Sequence, residues 1–309
     1  MKQILAQIKP YLRWFIRGGV LFFLIKTLKD HYGEVASLRI TDRGWLMLSL
    51  ALSVTICAHV WSGWVWTWIL KLFKQPLGVK AGIRVYLVTN IAKYAPGNIW
   101  HYYGRITAVT SRGGSRGAAT LSVLLEPLLM AAAALLIGLI GSGLGWLETD
   151  FNLKIILLQV LSLIAVLIGI HPRILNPIMH RLSRSKNQKD ANAAKAIELK
   201  NYPLSPFLGE MGFVMLRGCG FMFTFMALQP LSVWQIPQLI SAFSFAWLLG
   251  LVVPGAPGGL GVFEVTAFSL LDDSLFPAKI AAVALYRLIS ILAEAIAAAA
   301  SYKNQLNNN

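Results

Sequence analysis

Leu251-Val-Val-Pro-Gly-Ala-Pro-Gly-Gly-Leu-Gly-Val-Phe-Glu264 interrupts a chain that is otherwise apolar enough for a membrane. Proline removes a backbone donor and clashes inside a helix. Glycine weakens a helix and lets other groups approach its backbone. In hydrocarbon, such a break survives only where it is buried in protein or lines a wet cavity. A carboxylate at that depth, here Glu264, points by default to function. The stretch therefore reads as a broken helix beside a polar site.

The rest of the 309 residues supports that reading. The chain is 56% hydrophobic and only 13% charged. A soluble domain carries about 25% charged residues. Several runs near or above 18 apolar residues predict a polytopic all-α membrane bundle. Spans are expected over 45–70, 117–142, 153–170, 205–229, 234–253 and 278–300, with a short Gly/Pro-opened segment at 255–271. A weaker span or interfacial helix, broken by Arg13, Arg17 and Lys26, is expected over 12–28. The total is seven to eight spans. The apolar run Gly18–Ile25 has no small-residue cleavage site behind it, so no removable signal peptide is expected.

Net charge is +15, with the basic residues between apolar runs. That distribution fits the positive-inside rule and anionic lipid. It does not fit nucleic-acid binding, which needs a compact basic face. The loop 172–203 carries Arg173, Arg181, Arg184, Lys186, Lys189, Lys195 and Lys200, and is expected to be cytoplasmic. It divides one transmembrane domain into halves, 1–171 and 204–309. Counting outward, both termini fall in the cytoplasm if 84–104 is re-entrant and 255–271 crosses. Trp45, Trp61, Trp64, Trp66 and Trp68 are expected at membrane–water boundaries.

Each half contains one interruption. The first is Lys93-Tyr-Ala-Pro-Gly-Asn-Ile-Trp-His101, and the second centres on Pro254–Gly261. Both contain Ala-Pro-Gly. Paired Gly/Pro breaks point to the binding site of a transporter, although a chain rich in these residues also pairs them by chance. A helix restarting after Pro96-Gly97 would offer N–H groups of Asn98, Ile99 and Trp100 to an anion. Lys93 and Arg105 flank that point and suit phosphate. The same residues with Tyr94, Trp100, Tyr102 and Tyr103 also suit a plain headgroup-depth belt. At the second break, Pro257, Gly258, Gly259 and Gly261 leave the backbone open to a ligand. Glu264 stands one turn on, free to meet a cationic headgroup or proton, or to pair with Arg217 or Arg287.

Glu126 lies deep in a span beside Pro127. Arg287 and Glu294, and Glu210 and Arg217, are each seven apart and share a helix face. These groups make either a structural network or a functional one. His59 reads as a packed residue ahead of a proton relay. Cys57 and Cys219 sit in separate apolar runs and imply neither disulfide nor metal. No GxxxxGK[ST] loop and no HExxH is present, so neither an ATP engine nor a zinc hydrolase is expected. Asp272-Asp273 is a weak candidate for Mg²⁺ against a solvated loop. No cofactor is expected. Gly141-Ser-Gly-Leu-Gly145 fits a small-residue helix contact at a span end.

Two motifs carry a resemblance. Pro257-Gly-Gly-Leu-Gly-Val-Phe-Glu264 is similar to the C-terminal signature of the lysylphosphatidylglycerol synthetase/flippase transmembrane-domain family. Tyr94-Ala-Pro-Gly-Asn-Ile-Trp-His-Tyr-Tyr-Gly-Arg105 resembles that family's first Pro/Gly-and-Arg motif, departing at Trp100-His101-Tyr102-Tyr103. The resemblance spans essentially the whole chain. It implies a stand-alone membrane half in the plasma membrane of a bacterium, moving a phospholipid or polyprenyl-type lipid between leaflets. It also implies a synthase or glycosyltransferase as partner. The alternatives are a membrane-embedded transferase acting on a lipid phosphate, or a scaffold for such a synthase. The two interruptions with their flanking cations and intramembrane acids place the expected substrate site on Lys93, Pro96, Gly97, Asn98, Trp100, His101, Arg105, Glu126, Pro257, Gly258, Gly259, Gly261, Glu264 and Arg287.

Overall fold

The computed structural model describes residues 29, 40–95, 98–144, 153–182, 199, 201–253, 257–259, 261–272 and 278–306. Every regular element among them is helical. In chain order these are α1 (Asp42–Leu72), α2 (Val79–Asn90), a 3₁₀ turn (Ile91–Tyr94), α3 (Trp100–Thr110) and α4 (Arg116–Gly143). Then follow α5 (Leu153–Gly169), α6 (Pro172–Leu182), α7 (Leu204–Met226), α8 (Gln235–Val252), a 3₁₀ turn (Pro257–Gly259), α9 (Val262–Leu270) and α10 (Lys279–Leu306).

Four of these helices, α1, α4, α8 and α10, are long and apolar enough to cross a membrane among the described residues. A fifth span is formed if α5 and α6, bent by 59°, count as one. The stretch 12–28 lies outside the described residues, as do the acids of 145–152 and residues 183–198 and 200 of the basic loop. α7 is continuous over the expected 205–229 region, but Glu210 and Arg217 lower its apolarity.

Local sequence sets the ends. Thr41 caps α1, its hydroxyl accepting from the Gly44 N–H at 3.2 Å. α1 is about 46 Å long at 1.5 Å per residue, longer than the hydrocarbon layer. It packs against α7, α10 and α2, while α4 packs against α8, α7 and α5. Small residues permit the close crossings. A Cβ on Gly141 of α4 would lie 2.0 Å from the Ser241 hydroxyl of α8. On Gly220 of α7 it would lie 2.5 Å from Thr55 of α1.

The tryptophans of α1 divide. Trp61, Trp64 and Trp68 stack edge to face with centroids 5.0–6.1 Å apart. Trp66 is completely buried instead of marking an interface. The reason is helical spacing: 61, 64 and 68 share a face, and 66 points to the opposite side.

Candidate functional site

The two interruptions meet. α2 runs into the 3₁₀ turn Ile91–Tyr94, and Ala95 ends it in extended backbone, buried. Asn98 follows with φ 49°, and its N–H donates to the Ala95 carbonyl at 3.1 Å. That donor is therefore spent in the turn and is not offered to an anion. α3 then restarts at Trp100, without a side-chain cap. Pro96 and Gly97 lie outside the described residues.

In the second half, Gly258, Gly259 and Gly261 have φ of 62°, 72° and 83°. These are left-handed values that side chains with a Cβ adopt at a cost. Two of them are also sterically required. A Cβ on Gly258 would stand 2.8 Å from the Tyr94 ring, and one on Gly259 would stand 2.9 Å from Cα of Gly250. The second break is thus laid directly on Tyr94 of the first. Gly261 caps α9, and its N–H donates to Glu264 Oε2 at 2.7 Å. That is half of a capping box, since glycine has no side chain to supply the other half.

Between the breaks lies a cavity of about 140 Å³. At ~30 Å³ per water it holds roughly four or five waters, or one compact polar group. Of the anticipated site residues, Lys93, Asn98, His101, Arg105, Glu126, Gly258, Gly259 and Arg287 line it. Gly261, Glu264 and Trp100 do not, and Trp100 is exposed. His59, Tyr86, Asn90, Arg217, Trp247, Ser290 and Glu294 also line it, none of them among the anticipated site residues. One signal for Ser290 and Glu294 was in the sequence. Arg287, Ser290 and Glu294 sit at i, i+3 and i+7, forming one polar stripe on an alanine-rich helix.

Four cations line this space, and three are matched by carboxylates. Lys93 Nζ donates to Glu294 Oε1 at 2.6 Å, joining the first break to α10. Arg105 Nη1 donates to Glu126 Oε2 at 2.5 Å, with its guanidinium 3.7 Å from the Tyr86 ring centroid and 5.6 Å from that of Trp66. Arg287 Nε donates to Glu264 Oε1 at 2.7 Å. Its Nη atoms donate to the carbonyls of Gly258 at 3.1 Å and Gly259 at 2.6 Å. Arg287 therefore satisfies backbone acceptors that the break leaves without helical partners. Glu264 takes the internal-arginine option among its candidate roles, bonding Arg287 and its own cap. Neither seven-residue pair bonds internally: Arg287 and Glu294 reach Glu264 and Lys93, as two helical turns of separation require.

The fourth cation differs. Arg217 Nη2 donates to Ser290 Oγ at 2.9 Å, and Nη1 lies 3.2 Å from His59 Nε2. No carboxylate stands within 4 Å of it among the described residues. The same His59 nitrogen is 3.4 Å from Glu294 Oε1. One ring nitrogen either accepts from Arg217 or donates to Glu294. His59 thus stands between a cation and an anion and serves one at a time.

Glu210, on the same helix as Arg217, is fully buried, and neither carboxylate oxygen has a hydrogen-bond partner. Among the described residues, no group of three His, Cys, Asp or Glu side chains could hold a metal ion. Asp273 lies outside them. No protein-family model matches this chain. No curated protein matches it either.

Proposed function

We propose that this protein is a membrane lipid translocase, moving a phospholipid or polyprenyl-type lipid between leaflets with the headgroup held in the cavity between the two broken segments. The observation that carries the reading is the meeting of Tyr94 and Gly258 over a polar cavity lined by Lys93, Arg105, Arg217 and Arg287. A sealed apolar core has no use for so many ionised groups. Each is costly to desolvate, and such groups in membrane helices mark pathways for polar cargo. Broken helices at paired positions are the usual place for that cargo. The cavity accepts a headgroup, while the acyl chains stay in the bilayer. The motif resemblance to the lysylphosphatidylglycerol synthetase/flippase transmembrane domains points the same way.

In this reading the bundle has seven to eight spans, with α7 and the 12–28 stretch completing the count. Both termini are cytoplasmic, and the membrane is the bacterial plasma membrane. Movement is downhill, ion-coupled or driven by a partner synthase or glycosyltransferase. Purified protein reconstituted in vesicles with fluorescent phosphatidylglycerol, phosphatidylethanolamine and polyprenyl phosphate tests the proposal. Accelerated leaflet exchange of at least one lipid is expected, reduced at least tenfold by Arg287→Gln, which unfastens the second break. Exchange no faster than in empty vesicles for all three lipids would sink it.

A further inference from the structure

We infer that Arg217 is an anion-binding residue of this cavity and that the group it receives is a phosphate. The inference rests on the translocase reading for the source of that phosphate, but its geometry stands alone. A guanidinium carries five N–H donors. Those of Arg217 spend one on Ser290 and one on His59, and Nε has no partner although it is buried. Three donors therefore remain on a side chain only 5% exposed, and the residue lines the cavity. A buried cation without a counter-charge is among the most expensive arrangements a protein can hold. Lys93, Arg105 and Arg287 avoid that cost with carboxylates at 2.5–2.7 Å; Arg217 does not. Among the described residues the cavity is left with one unmatched positive charge at a defined place.

The site is built as well as charged. The Arg217 guanidinium lies 5.3 Å from the Tyr286 ring centroid, which orients its plane. The Tyr286 hydroxyl donates to the Arg217 carbonyl at 3.2 Å and secures the backbone behind it. A planar fork of free N–H groups matches two oxygens of a phosphate. The Ser290 hydroxyl and His59 stand beside it, and Lys93 lines the same space, so further oxygens find donors from other directions. A tetrahedral oxyanion uses such a surround better than a planar carboxylate does. When the anion binds, His59 Nε2 is released from Arg217 to donate to Glu294. Binding thereby tightens the contact between α1 and α10.

The test uses full-length protein in detergent micelles. Dioctanoyl phosphatidylglycerol, dioctanoylglycerol and inorganic phosphate are the probes, with binding read by native mass spectrometry and by shift in melting temperature. Dioctanoyl phosphatidylglycerol is expected to bind and dioctanoylglycerol to bind at least tenfold more weakly. Arg217→Gln should weaken the phosphatidylglycerol about 10- to 100-fold, as loss of a charged hydrogen-bonding partner does. Arg217→Lys should lose less, and Arg112→Gln at the exposed end of α3 should lose nothing. Competition by millimolar inorganic phosphate would support a site that takes the free ion as well as the headgroup. Failure to compete would support the same site reading phosphate only on a lipid. Equal binding of the two dioctanoyl lipids overturns the inference, and that comparison needs no variant to fold. Binding with no leaflet exchange would remove the translocase reading and leave the anion site standing. Exchange with no phosphate preference would do the reverse.

Discussion

At the residue scale, burial of charge is the main issue. Arg105 and Glu126 are both sealed, and among the described residues each is the other's only ionic partner. Breaking such a pair by neutralising one member costs about 3–5 kcal/mol, because the other charge stays buried. Glu126→Gln is expected to lower the melting temperature accordingly. Glu210 is the opposite case. Its oxygens bond nothing, so an amide of the same shape removes a desolvated group without stranding a partner. Glu210→Gln is expected to leave the melting temperature unchanged or raise it. A marked fall with Glu210→Gln, or none with Glu126→Gln, measured by differential scanning fluorimetry, would contradict the assignment. Both glutamates are visible in the sequence as acids within apolar runs. Nothing in the spacing distinguishes the paired one from the unpaired one, because Arg105 reaches Glu126 from a different helix.

Small residues set the spacing between elements. Gly141 lies so close to Ser241 that any side chain on it must displace α4 from α8. Overpacking of this kind typically costs about 1–3 kcal/mol. Gly141→Ala is expected to lose stability in that range. Gly141→Ala combined with Ser241→Gly should recover most of the loss, since the obstructing atoms are the Ser241 Cβ and hydroxyl. Unfolding midpoints of the two single variants and the double variant measure the coupling, and a double variant no better than Gly141→Ala refutes the contact. The Gly141–Gly145 run suggested a helix contact; only the packed helices show that Ser241 is its counterpart. Trp66 makes the same point: membership of an aromatic-rich run suggested an interface, while its phase on α1 buries it under Arg105.

At the scale of the whole molecule, one bond ties the two halves together. Lys93 and Glu294 are 201 residues apart in sequence and bonded at 2.6 Å, joining the first break to the last helix. Lys93→Met alone strands Glu294, with its second oxygen already lacking a partner, and is expected to destabilise by about 3–5 kcal/mol. Lys93→Met with Glu294→Gln removes both charges and is expected to regain most of that. A double variant as unstable as the single one would show that the ion pair does not bridge the halves.

Composition and periodicity alone pointed to an all-helical chain with several helices apolar enough to cross a membrane, and marked the two Pro/Gly-rich interruptions; α2 and α6, which fall where loops were expected, were not legible. The legible features are local properties: apolar length decides insertion, and proline and glycine decide where backbone bonds fail. Lys93, Arg105, Glu126, Gly258, Gly259 and Arg287 were legible as site candidates for the same reason, being costly in hydrocarbon wherever they point. Partnership was not legible. That Arg287 fastens the second break, that Glu264 is the carboxylate paired with it, and that Arg217 has none within 4 Å among the described residues follow from which helix faces meet. Those meetings are set by packing between residues as distant in sequence as His59 and Glu294, on which spacing along one chain is silent.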